Sequence, residues 1–126
     1  PQILDPYSLY ISVGHDEYWS KGMRDTVENW VEAGGHAAFF SGNTAFWQIR
    51  YEEGTERVVA YKNDLLDDPV VGTELEHQVT GMWSDPLTGR PETEMTGVTF
   101  SRGGSVSPGG VCAPSAPSES ELCMCV

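Results

Sequence analysis

Two stretches decide the fold: Tyr7-Ser8-Leu9-Tyr10-Ile11-Ser12-Val13-Gly14 and His36-Ala37-Ala38-Phe39-Phe40-Ser41-Gly42. Each is a short run of β-branched, aromatic and aliphatic residues closed by glycine, the pattern of a buried strand. Between them, Ser20 stands where a helix N-cap is wanted. Met23, Val27, Trp30 and Val31 recur at steps of three and four and form one apolar stripe. Arg24, Asp25, Glu28 and Glu32 fall off that stripe. Gly34-Gly35 supplies the left-handed stop that ends helices. The spacing predicts strands over Tyr7–Val13 and His36–Phe40 and a helix from about Lys21 to Ala33. Strand, amphipathic helix, strand is a βαβ unit, whose two strands lie side by side and parallel. A third extended piece is expected at Phe46–Tyr51. The fold class is therefore α/β with a parallel sheet.

Further out, the periodicity fades. Residues 60–71 carry Asp64-Leu65-Leu66-Asp67-Asp68-Pro69 and read as a loop with a short helix at most. Val98-Thr99-Phe100 can form a strand. From Ser101 to Val126, 13 of 26 residues are Ser, Gly or Pro, so this segment is expected to be a low-complexity, disordered tail. The organisation expected is thus a partial α/β domain over 1–100 and a tail over 101–126. One βαβ unit cannot cover both faces of its sheet, so further strands are expected before residue 1. Phe39, Phe40, Trp30 and Trp47 would then be left partly bare. No apolar run is long enough to cross a bilayer and no charged-then-apolar leader stands first, so a cytoplasmic fragment of a larger protein is expected.

The net charge of −12 argues against nucleic acid, which needs clustered Lys and Arg, and against an anionic membrane surface. Eleven carboxylates face three bases between Glu52 and Glu94, which reads as a solvated surface. Cys112, Cys123 and Cys125 are odd in number and lack a zinc spacing, so they are taken as incidental.

Both polar motifs fall at the carboxyl ends of the two strands, where open α/β sheets place ligands. His15 and Glu17 are two apart. If the strand runs on through them they share one side, and Asp16 takes the other. An imidazole beside a carboxylate can ligate a metal or act as base and orienting partner. The competing reading is a strand-end turn that helps cap the helix. Asn43, after Gly42, can hold a carbonyl or donate to an oxyanion; otherwise it forms an Asx-turn. No Gly-x-Ser-x-Gly or Gly-x-Cys-x-Gly elbow is present, so an activated water is the expected attacker in any hydrolysis. His15-x-Glu17 also opens the zinc deaminase signature, but the required Pro-Cys-x-x-Cys is missing. Tyr18 and Trp19 border the first motif; His36 and His77 are isolated.

Taken in order, Gly14-His15-Asp16-Glu17-Tyr18-Trp19-Ser20, Met23-Arg24-Asp25, Gly34-Gly35, Phe40-Ser41-Gly42-Asn43-Thr44 and Phe46-Trp47-Gln48-Ile49-Arg50 resemble the C-terminal region of the large subunit of N,N-dimethylformamidase. The resemblance implies a glutamine-amidotransferase-like (flavodoxin-like) domain and a mononuclear ferric iron held by two tyrosines and one glutamate. It also implies a small subunit as partner and hydrolysis of small N-substituted formamides to formate and an amine. By motif position Glu17 resembles the family's glutamate ligand, and His15 and Asn43 its active-site polar residues. The tyrosine ligands are implied well upstream, so Tyr7, Tyr10 and Tyr18 are not put in their place. The Ser101–Val126 sequence departs from the strand-like continuation that the family implies. The alternatives are a non-catalytic α/β module or an inactive truncated product.

Overall fold

A computed structural model describes residues 3–99 of the chain. In chain order it contains β1 (Leu9–His15), β2 (Tyr18–Ser20), α1 (Lys21–Glu32), β3 (His36–Gly42), β4 (Trp47–Glu52), β5 (Arg57–Val59) and α2 (Thr93–Thr96), with 3-10 turns at Glu53–Thr55, Lys62–Asp67 and Glu76–Gln78. β1 and β3 pair in parallel, Leu9 against His36 through His15 against Gly42. This is the expected βαβ frame, although β1 both begins and ends two residues later than its sequence pattern and β3 runs two residues past Phe40.

The helix starts and stops where its chemistry dictates. The Ser20 hydroxyl accepts a hydrogen bond from the Met23 amide at 3.2 Å, satisfying one orphan donor of the first turn. At the other end Gly34 turns left-handed at φ +102°. A Cβ on Gly35 would lie 2.4 Å from the Trp30 ring, so only glycine lets the chain pass there.

The stripe that faces inward is not the one expected. Arg24, Val27 and Trp30 are buried on α1, whereas Met23 and Val31 are exposed. Arg24, expected on the solvent face, is 0% exposed. Its Nη2 donates to the Pro91 carbonyl at 2.9 Å and its Nη1 to the Arg90 carbonyl, while Nε meets Glu28 at 2.6 Å. Trp83 stacks beneath the guanidinium at 4.7 Å. Enough acceptors surround the charge to offset its desolvation. Trp83 and Trp19 form the buried centre with Val27 and Ala45, and Tyr10, Phe39, Leu4 and Met95 pack around it.

The strands are buried on one face only. Tyr10, Ser12, Phe39 and Ser41 turn towards α1 and the interior, while Leu9, Ile11, Val13 and Phe40 remain exposed, Phe40 at 71%. One helix covers one side of a two-stranded sheet. Trp30 and Trp47, expected to be partly bare, are buried instead.

β4 does not join that sheet. It pairs in parallel with β2 and antiparallel with β5. The segment after it lies along β4 too: Gln48 donates to the Gly81 carbonyl at 2.8 Å and Trp83 to the Phe46 carbonyl at 3.0 Å. Arg50 closes this layer with a bidentate pair to Asp68 at 2.9 and 3.0 Å, and Asp68 also accepts from the Thr80 amide and hydroxyl. The acidic stretch is therefore not all solvated surface: Asp68 is 2% exposed, and Glu92 is buried as well. Burial alone would raise the Asp68 pKa. The Arg50 and Thr80 bonds outweigh it and hold the carboxyl below its ordinary range. Val98 and Thr99 are not in a strand, and Phe100 and the expected tail lie outside the described residues.

Candidate functional site

The carboxyl ends of β1 and β3 are tied edge to edge. The Asp16 amide donates to the Gly42 carbonyl at 3.3 Å, and the Ala45 and Trp47 amides donate to the carbonyls of Asp16 and Glu17, both at 2.9 Å. His15, Glu17 and Asn43 are thereby brought to one edge of the sheet.

The route differs from a continuous strand. β1 ends at His15, and Gly14 before it has a left-handed φ of +85°. Asp16 and Glu17 lie outside any strand before β2 begins. Even so, His15 Nε2 and Glu17 Oε2 come within 4.0 Å, with the imidazole 71% exposed. The other oxygen of Glu17 accepts a hydrogen bond from the Trp47 indole at 2.9 Å.

Asp16 faces the interior. Its Oδ1 accepts from the Trp19 indole at 2.9 Å and its Oδ2 from the Ser12 hydroxyl. Ser12 in turn contacts the Ser41 hydroxyl, so a buried polar cluster joins β1, β3 and the motif loop. Helix capping falls to Ser20 alone.

Asn43 adopts φ +54° at the head of the second loop, and Ala45 adopts +51°. The Asn43 carbonyl accepts from the Phe46 amide at 3.1 Å, a turn closed by backbone. Among the described residues its side-chain amide makes no Asx-turn and has no hydrogen-bond partner. Asparagine tolerates this left-handed conformation better than most residues, which accounts for its backbone role.

Two residues of the site were not singled out from sequence as site residues. Trp47 is one. Lys62 is the other: its ammonium donates to the Tyr18 hydroxyl at 2.6 Å and lies 5.5 Å from the centre of the Trp47 ring. The Tyr18 bond, and then the Glu17 charge, hold the Lys62 pKa above its usual range. Lys62 also has a left-handed φ of +56°. Nothing in a single sequence signals either contact, since both link residues far apart in the chain.

Glu17 offers a hard anionic oxygen, the donor a ferric ion prefers, with an imidazole beside it. Among the described residues no group of three His, Cys, Asp or Glu side chains converges to hold a metal. A carboxylate oxygen is a donor that would suit a ferric ion, and such an ion would need further ligands from outside the described residues. A hollow of about 400 Å³ lies elsewhere, between α1, β3 and α2, lined by Val27, Val31, Phe39 and Met95 among others. It holds none of His15, Glu17 and Asn43.

Among the described residues no helix is long and apolar enough to cross a membrane. Residues 1–120 match the family model described as N,N-dimethylformamidase beta subunit-like, C-terminal. No curated protein and no solved structure matches the chain.

Proposed function

The chain belongs to the N,N-dimethylformamidase beta subunit-like, C-terminal family, and from that premise we propose that it contributes part of the active site of an iron-dependent amidohydrolase acting on small N-substituted formamides. The observation that carries this reading is the convergence of His15, Glu17 and Asn43 on one sheet edge, with His15 and Glu17 at 4.0 Å. On this reading the sheet is part of a glutamine-amidotransferase-like domain. The remaining iron ligands lie outside the described residues, and a small subunit completes a cytoplasmic enzyme.

Glu17 would hold the iron through a carboxylate oxygen. When bound, the ion supplies Lewis acidity and lowers the pKa of water. The chain's own residues do the rest. His15, with its imidazole exposed, takes the proton from the attacking water at its imidazole nitrogen. It then delivers that proton to the departing amine nitrogen. The C–N bond breaks, the new C–O bond remains in formate, and no other co-reactant is needed. Asn43 presents its amide to the substrate carbonyl and donates to the oxygen as negative charge builds there.

The competing reading, a non-catalytic module, draws on the incomplete donor set. Iron content and formamide hydrolysis of the complete enzyme separate the two. Glu17→Ala is expected to abolish iron binding. His15→Ala is expected to keep iron and lose turnover by roughly 10²–10⁴-fold, the size of a general acid–base contribution. Full iron and full turnover in both variants would leave only the module.

A further inference from the structure

We propose that Trp47 is a positioning residue that fixes which oxygen of Glu17 is offered to a bound group: the indole occupies Oε1, and Oε2 alone is presented. This rests on the reading of Glu17 as a ligand.

A glutamate end group turns freely, because its last torsion is broad and roughly two-fold. Unrestrained, it can offer one oxygen, the other, or both. Here Oε1 is engaged by Trp47 Nε1 at 2.9 Å, while Oε2 points towards His15 Nε2 at 4.0 Å. An indole nitrogen only donates, so the contact has one polarity and cannot invert.

The indole is itself well fixed. Trp47 is buried, and its ring meets the Phe46 ring edge-on at 4.9 Å. Lys62 lies over its face. Its own amide donates to the Glu17 carbonyl at 2.9 Å, so main chain and side chain of one residue both grip Glu17. β4 aligns with β2 in parallel, Tyr18 against Trp47, which fixes that grip in register. The result is a carboxylate locked for one-oxygen ligation on the side where His15 stands. Partners of this kind that orient a ligand are typically worth 10–100-fold in metal affinity.

The test replaces Trp47 by β-(benzothiophen-3-yl)alanine in the complete enzyme. This exchanges the indole N–H for sulfur and keeps the bicyclic shape. Trp47→Phe is made alongside, and Glu17→Ala serves as the reference for loss of a ligand. Iron affinity is measured by chelator competition, and folding by thermal unfolding. The expected result is a folded benzothienyl variant with iron affinity reduced about 10–100-fold and a melting temperature close to that of the native protein. Unchanged affinity in the benzothienyl variant, with Glu17→Ala losing iron, overturns the role of Trp47 alone. Unchanged affinity in Glu17→Ala overturns the ligand assignment and this inference with it. If Trp47→Phe fails to fold, the benzothienyl variant decides.

Discussion

Removing the Asp16 carboxylate is expected to be more damaging than the alternation of a strand suggests. On a straight strand Asp16 points away from His15 and Glu17 and is a bystander. In the structure it points away into the buried cluster that sets the loop. Asp16→Ala removes two hydrogen bonds to a charged acceptor, from the Trp19 indole and the Ser12 hydroxyl. Such bonds are worth about 1.5–3 kcal/mol each. Both donors keep a second partner: the Trp19 indole also reaches the Asp16 carbonyl at 3.0 Å, and Ser12 still meets Ser41. That places the total at or just below the low end of the summed range, about 2–3 kcal/mol. For a domain of roughly this size the melting temperature falls about 4–8 °C per kcal/mol, so a drop of roughly 10–20 °C is expected. The main-chain bonds of Asp16 to Gly42 and Ala45 survive, so the loop is loosened rather than lost. A displacement of about 1 Å at His15 and Glu17 then costs around 10²-fold in turnover. Asp16→Asn keeps the shape and part of the bonding, and falls between. The assays are thermal unfolding followed by circular dichroism and formamide turnover of the complete enzyme. An Asp16→Ala variant within about 0.5 kcal/mol of native, with full turnover, would refute the anchoring role.

Three further outcomes follow from the geometry. Asp68→Ala strips Arg50 of its bidentate partner but leaves it Glu52 at 3.0 Å and the Gln78 carbonyl at 2.9 Å; a loss of about 3 kcal/mol is expected by urea unfolding, the low end for breaking a buried pair. The Asp68 and Asp25 carboxyls titrate below their ordinary range when folded, each against an opposing effect of burial and through bonds to Arg50 and Thr80 or to Lys21 and Arg90. Their stabilisation is therefore present above an unfolded pKa of about 3.9 and disappears as pH falls through the folded values. Urea midpoints should drop below about pH 4, with a shallower drop in Asp68→Asn; parallel curves would contradict the assignment. Asn43→Gly tolerates φ +54° and should stay within about 1 kcal/mol of native stability, yet lose about 10²–10³-fold in turnover together with Asn43→Ala. A turnover loss confined to the alanine variant would trace the effect to backbone strain and not to the amide.

The strand–helix–strand half of the chain was legible because its signals are local. Short β-branched and aromatic runs, a three-to-four repeat, a serine cap and a glycine pair each act within a few residues. The face of α1 was misread because Arg24 looks polar in sequence, and the distant Arg90 and Pro91 carbonyls and Trp83 join the nearby Glu28 in compensating its burial. The half from Tyr51 onward carries little periodicity, since it is held by side chains reaching far along the chain: Arg50 to Asp68, Asp68 to Thr80, Arg90 to α1. At the site, the two-residue spacing of His15 and Glu17 rightly suggested proximity, although the strand ends at His15 and does not run on through Glu17. The inward role of Asp16 and the grip of Trp47 on Glu17 depend on tertiary approach and leave no trace in spacing.

The arginine clasp over Trp83 also has consequences for the order of assembly. Arg90 reaches Asp25 at 2.7 Å and Glu28, and Arg24 reaches back to the carbonyls of Arg90 and Pro91. The helix is thus latched by a part of the chain synthesised long after it. Closing so long a loop carries an entropic cost and slows the search for native contacts. Until residues 83–91 have emerged, α1 can form and fray but not lock. Its amides should gain slow hydrogen exchange in one step as the latch closes, and a single backbone nick between Glu76 and Trp83 should return them to fast exchange if it frees the latch.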